Sequence, residues 1–271
     1  MRKVTAGNTV FGDGKPKICI PITARSMTEL EEQIEIAQRV PCDMIEWRAD
    51  YFEPEAYNEP GQSCREKESP DTECKNGGEW ILPALRMLKK RIADKPLLFT
   101  FRTKAEGGER EITPEEYERL NQKAASAGLA DFVDIEINRG EELFSRLCGT
   151  AHSLGVSVIG SFHDFTATPA KKELEELLCR MQTLGADITK AAVMPHDEND
   201  VLTFLEASVE MKLQYADRPF ITMAMGPLGA VSRLCGALTG SAVTFAAAGK
   251  ASAPGQLDAR MVADVLNSIE I

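Results

Sequence analysis

The segment GADITKAAVM (185–194) carries a lysine, Lys190, among side chains that read as a buried strand: Ile188, Ala191, Ala192, Val193 and Met194. Burying an ammonium ion costs several kcal/mol unless it is paired or gives up its proton. Three further segments set ionisable residues in similar surroundings. IEWRAD holds Glu46 and Arg48, FTFRT holds Thr100 and Arg102, and GSFHD holds Ser161 and His163. Side chains alternate across a strand, so the two polar residues of each segment share a face. Together these types can do carbonyl chemistry. A desolvated, neutral amine attacks a ketone to form a Schiff base, and the protonated imine acidifies the adjacent carbon. A histidine suits the removal of that proton and its later delivery to a leaving group. Glu106, four residues past Arg102, is placed to orient the histidine. Arginines suit two-point recognition of a substrate carboxylate.

Each residue also has a purely structural explanation. Glu46 and Arg48 can be a satisfied ion pair, Arg102 can meet solvent at a strand end, and His163 can be a hydrogen-bonded core residue. Lys190 can extend its amine out of the core. That explanation must hold on four segments at once, and their joint occurrence favours a site.

Positioning these groups requires strands that end at a common place. Candidate strands run over 17–23, 42–50, 97–103, 132–138, 157–165, 186–194, 220–226 and 241–247, with amphipathic helical patterns between them. Thr113 before Pro114 and Thr168 before Pro169 read as helix starts, and Gly128 and Gly185 as helix ends. Eight alternating βα units predict a (β/α)8 barrel, the α/β class in which chemistry collects at the carboxyl ends of the strands. A doubly wound open sheet is the alternative; no G-x-G-x-x-G follows an early strand to support its dinucleotide-binding form. The first 15 residues read as a β-hairpin with a Gly-Asp-Gly turn covering one end of the barrel. Residues 53–79 break the rhythm: rich in Pro, Gly, Glu and Lys and poor in aliphatics, they read as an exposed insertion in a single domain spanning 1–271.

A net charge of −11 argues against nucleic-acid binding, since phosphate contacts need a basic face. A few local arginines still suffice for an anionic substrate. No run approaches the roughly 20 apolar residues of a membrane helix, and no signal-peptide pattern opens the chain. The seven scattered cysteines show no metal-site spacing and read as reduced thiols in a cytoplasmic protein, although Cys64 and Cys74 could pair. The late loop GKASAPGQ suggests phosphate at first sight, but Thr244 and Ala251 stand where a Walker loop needs Gly and Ser or Thr.

The motifs EWRAD, FTFRTKAEGGE, DIEIN, GSFHDF, DITKAAVMP, ITMAMG, SRLCG and KASAPGQ run in order from about residue 17 to 260. In this order, and with 27 residues from His163 to Lys190, the chain resembles the type I 3-dehydroquinate dehydratases, lysine-imine hydro-lyases of the shikimate pathway. The resemblance implies Lys190 as the Schiff-base lysine, His163 as acid and base, and Glu106 as the carboxylate positioning it. It implies substrate binding by Glu46, Arg48, Arg102, Arg233, Ser252 and Gln256, with Arg233 on the substrate carboxylate and the SAPGQ loop closing over the ring. It implies the substrate 3-dehydroquinate, no metal or organic cofactor, and a homodimer. Two departures stand out: Pro21 replaces a serine found on the first strand of some relatives, and the 53–79 loop is longer than the family pattern. A class I aldolase acting on a sugar phosphate would share the imine but cleave a carbon–carbon bond. A barrel that merely binds small acids would leave the Lys, His and Glu set without a purpose.

Overall fold

The computed structural model describes residues 2–53, 78–249 and 251–269. Most of the 53–79 segment, with Cys64 and Cys74, lies outside the described residues. Strands β1 (Val4–Ala6) and β2 (Thr9–Phe11) form an antiparallel hairpin. Eight parallel strands follow: β3 (Lys17–Ile22), β4 (Met44–Arg48), β5 (Leu97–Thr100), β6 (Phe132–Glu136), β7 (Ser157–Asp164), β8 (Ile188–Val193), β9 (Phe220–Ala224) and β10 (Val243–Phe245). They pair in the order β10-β3-β4-β5-β6-β7-β8-β9. A parallel bridge from Phe220 to Ser241, with the Ala242 N–H donating to Phe220 O at 2.7 Å, joins β9 to β10 and closes the ring. This is the (β/α)8 barrel that the eight alternating units predict.

The helices are α1 (Met27–Ala37), α2 (Ile81–Arg91), α3 (Pro114–Ser126), α4 (Glu141–Ser153), α5 (Lys171–Thr183), α6 (Glu198–Glu210), α7 (Gly236–Thr239) and α8 (Ala259–Ser268). Outward-facing strand residues such as Ile45, Trp47, Phe99 and Ile135 pack against helix stripes such as Leu30/Ile34 and Leu85/Leu88. Strands buried on both faces explain why their sequences are nearly continuous apolar runs. Helix α3 starts as its sequence predicts, with Thr113 and Glu116 forming a capping box. Helix α5 instead starts at Lys171, not at Pro169: Ala170 is its N-cap, with no side-chain oxygen to cap the first turn, and the Ala170 N–H donates to the Glu173 carboxylate at 3.0 Å. No helix among the described residues is long and apolar enough to cross a membrane.

Inside the ring, each strand contributes one residue to an apolar floor: Cys19, Met44, Leu98, Phe132, Ile159, Ile188, Ile221 and Val243. Val4, Ala6 and Phe11 of the hairpin pack on this floor, and Phe11 meets Phe132 edge to face at 5.3 Å. The hairpin therefore stoppers the amino end of the barrel. Its turn is not the expected Gly-Asp-Gly. Register pairs Ala6 with Thr9, so Gly7 and Asn8 make the turn. Gly7 has φ +53°, and a Cβ there would stand 2.6 Å from Asp94 O, so the position needs glycine on two counts.

Candidate active site

The alternation that builds the floor builds the site above it. One two-residue step up the strands come Glu46, Asp134, Ser161 and Lys190; a further step brings Arg48, Arg102, Glu136 and His163, at or just beyond the strand ends. Ser161 stands beside Lys190 in register and His163 beside Ala192, so the histidine sits one step nearer the barrel mouth than the amine. All nine residues singled out from the sequence line one cavity of ≈ 160 Å³: Lys190, His163, Glu106, Glu46, Arg48, Arg102, Arg233, Ser252 and Gln256.

Lys190 is 4 % exposed. Its Nζ lies 3.9 Å from Asp134 Oδ2 and 4.5 Å from the centroid of the Phe245 ring. Burial lowers its proton affinity below that of a free lysine, against the pull of Asp134 and Glu46 and with help from the Arg102 charge. Burial holds His163 well below the usual histidine range, and the charges of Arg102, Lys190 and Arg48 act in the same direction. Glu106 sits on a 3₁₀ turn, Lys104–Glu106, just past β5. Its Oε2 lies 2.9 Å from His163 Nδ1 and accepts the His163 backbone N–H at 3.1 Å. Burial and the nearby Glu136 carboxylate push Glu106 up to about 8.

The three cavity arginines differ in their partners. Arg48 forms a two-point pair with Asp50, both distances 2.8 Å. Arg102 is the hub of a buried network: it donates to Glu136 at 2.9 Å and to Ser161 Oγ at 3.0 Å, and lies 2.8 Å from Asp134. Arg233 has no carboxylate partner among the described residues. It donates to the carbonyls of Phe245 (3.3 Å) and Pro254 (3.1 Å), and burial lowers it to about 10. A buried guanidinium with only neutral acceptors is built to receive an anion. Glu46 accepts from Thr100 Oγ1 at 2.9 Å. Ser252 and Gln256 bond each other, Gln256 Nε2 donating to Ser252 Oγ at 2.9 Å, and their loop docks through the Gly226 N–H onto Pro254 O at 3.2 Å.

Asp50, Asp134 and Glu136 belong to this network, and reading the sequence for isolated cations passed over them. Their signal was present: Glu46, Arg48 and Asp50 alternate, as do Phe132, Asp134 and Glu136 in FVDIEIN.

A family model described as type I 3-dehydroquinase matches residues 18–271. The 3-dehydroquinate dehydratase of Syntrophotalea carbinolica is 42% identical over 271 residues, covering 100% of this chain and 99% of the relative. That of Clostridioides difficile is 43% identical over 266 residues, covering 98% and 96%. Among solved structures, the type I 3-dehydroquinate dehydratase of Clostridium difficile with covalent modified comenic acid superposes with a TM-score of 0.88 at 42% identity, covering 98% of this chain and 97% of that one. The enzyme of Geobacillus kaustophilus gives 0.86 at 33% identity, covering 98% and 96%. With the barrel and a lysine, histidine and glutamate gathered at its mouth, these likenesses lead to one conclusion: the chain belongs to the type I 3-dehydroquinase family.

Proposed function

We propose that this chain is a 3-dehydroquinate dehydratase, a hydro-lyase converting 3-dehydroquinate to 3-dehydroshikimate and water through an imine on Lys190. The observation that carries this reading is the meeting of a buried amine, a carboxylate-held imidazole and an anion-seeking guanidinium in one cavity.

In this reading Arg233 takes the substrate carboxylate, and Glu46, Arg48, Arg102, Ser252 and Gln256 complete its binding. The neutral Lys190 amine attacks the C3 ketone; the resulting carbinolamine hydroxyl takes up a proton and leaves as water, and the protonated imine forms. His163 takes a proton from C2, and the electron pair is held in the imine system as an enamine. The C1 hydroxyl then leaves as water, protonated by His163. Water hydrolyses the imine, releasing the enone and the amine. Glu106 keeps the imidazole oriented throughout. The solved relative with covalent modified comenic acid is in keeping with covalent chemistry on this barrel.

The same reading makes residues 1–271 one barrel domain in a cytoplasmic homodimer, which sedimentation at micromolar concentration checks. Borohydride added with 3-dehydroquinate should leave a reduced adduct on Lys190, and an ultraviolet assay should detect the conjugated enone. No adduct, or a Lys190→Ala variant of undiminished activity, overturns the mechanism. An enzyme that ignores unphosphorylated dehydroquinate but cleaves a sugar phosphate would be an aldolase instead.

A further inference from the structure

Among the described residues, Lys190 has a single carboxylate within ion-pair distance, Asp134 at 3.9 Å. The two oxygens of Asp134 are used differently. Oδ1 is satisfied by the Ser161 hydroxyl at 2.6 Å. Oδ2 lies 2.8 Å from an Arg102 nitrogen but has no aligned hydrogen bond, and it is the oxygen nearest the Lys190 amine. A fully buried carboxylate oxygen in that state has capacity for one more donor. The rest of the buried carboxylate system points elsewhere: Glu136 to Arg102 and Thr103, Asp50 to Arg48, Glu106 to His163, Glu46 to Thr100.

Imine formation changes what this oxygen faces. A free amine beside Asp134 can be neutral, whereas the reactive protonated imine carries a full positive charge and one N–H, buried and attached to the same lysine nitrogen. We propose that Asp134 is the counter-ion of that imine, a positioning residue that accepts its N–H on Oδ2 and holds the cation that acidifies the substrate. This rests on the lysine-imine reading above. Ser161 and Arg102 fix the Asp134 carboxylate in place, and Arg102 also keeps it ionised against the cost of burial. The charge balance follows: without Asp134, the cation at Lys190 would face Arg102 and His163, with Glu46 as its remaining carboxylate and Cys19 beneath.

The test is Asp134→Asn, with Asp134→Ser as a second neutral variant and Asp134→Glu as the charge-keeping control. Imine formation is followed over pH by rapid borohydride quench and intact mass. Losing the carboxylate removes a partner of the ammonium, so the pH midpoint at which the amine becomes reactive should fall by about one unit or more. The steady-state fraction trapped as imine should fall about tenfold at pH 8, because the cation has lost its counter-ion. Asp134→Glu should restore both readouts toward wild type. A folded neutral variant with an unchanged midpoint and trapped fraction overturns the proposal. If the wild-type enzyme itself gives no adduct on Lys190, the lysine-imine reading fails instead, whatever the variants do.

Discussion

Glu106 holds His163 twice with one oxygen: Oε2 lies 2.9 Å from the ring Nδ1 and accepts the backbone N–H of the same residue at 3.1 Å. The ring is thereby pinned to its own strand, and an Nδ1–H donated to that oxygen leaves Nε2 free to act as a base. Glu106→Gln keeps the shape and removes the charge. Its kcat should fall by about 10- to 100-fold, with KM within a few-fold of wild type, because the carboxylate that supports the His163 base is lost and the binding groups are not. Steady-state kinetics checks both.

The same pair sets the pH profile. Glu106 is pushed from 4.5 up to about 8, so below that pH the pair keeps a proton that the working base must lose. Activity should therefore rise as pH passes through about 8. For stability the sign is opposite. The folded protein binds this proton more tightly than the unfolded chain, so the contribution is fully present below about 4.5 and is lost as pH rises through about 8. Tm should fall across that window, and Glu106→Gln should flatten the dependence.

The two most buried arginines should respond in opposite ways. Among the described residues Arg233 has no carboxylate partner, so Arg233→Met should leave Tm unchanged or raised, while KM rises by about 10- to 100-fold from the loss of a charged contact. Arg102→Met strands Asp134 and Glu136 as buried anions and should cost about 3–5 kcal/mol. Thermal melts beside substrate titrations separate the cases.

Phe11 fills the floor far from the chemistry. Phe11→Ala should cost about 3–5 kcal/mol by emptying a buried ring's space, with kcat nearly unchanged well below the melting temperature. Urea unfolding measures the first quantity and a cold assay the second.

Gly255 has φ +76°, and a Cβ there would stand 2.2 Å from Gly226 O. Gly255→Ala must move the loop that carries Ser252 and Gln256. KM should rise more than kcat falls, and the melting temperature should drop by only a few degrees. A substrate titration of that variant checks the split.

The barrel and the cavity lining were legible because strand periodicity is local. Eight apolar runs give eight strands, and alternation alone puts Glu46, Arg48, Arg102, Ser161, His163 and Lys190 on the inner face. Who pairs with whom was not legible. That Arg102 answers to Asp134 and Glu136, and Arg233 to two carbonyls and the Met223 sulfur, depends on stagger between strands distant in sequence. The hairpin turn was misjudged because Gly-Asp-Gly and Gly7-Asn8 are both good turn sequences. The register settles on Gly7-Asn8, where Asp94 O approaches so closely that only glycine fits, a contact no local pattern encodes.

A barrel stoppered by Phe11 is a cup. Among the described residues the cavity opens at one rim, past Arg48, Arg233 and Gln256, which substrate, expelled water and product share, so the newcomer meets whatever is leaving. Traffic through a single doorway makes product a natural competitor for the seat at Lys190. An inhibitor need not imitate the reaction: a small anion that lodges at Arg233 and fills the rim would close the vessel to everything else.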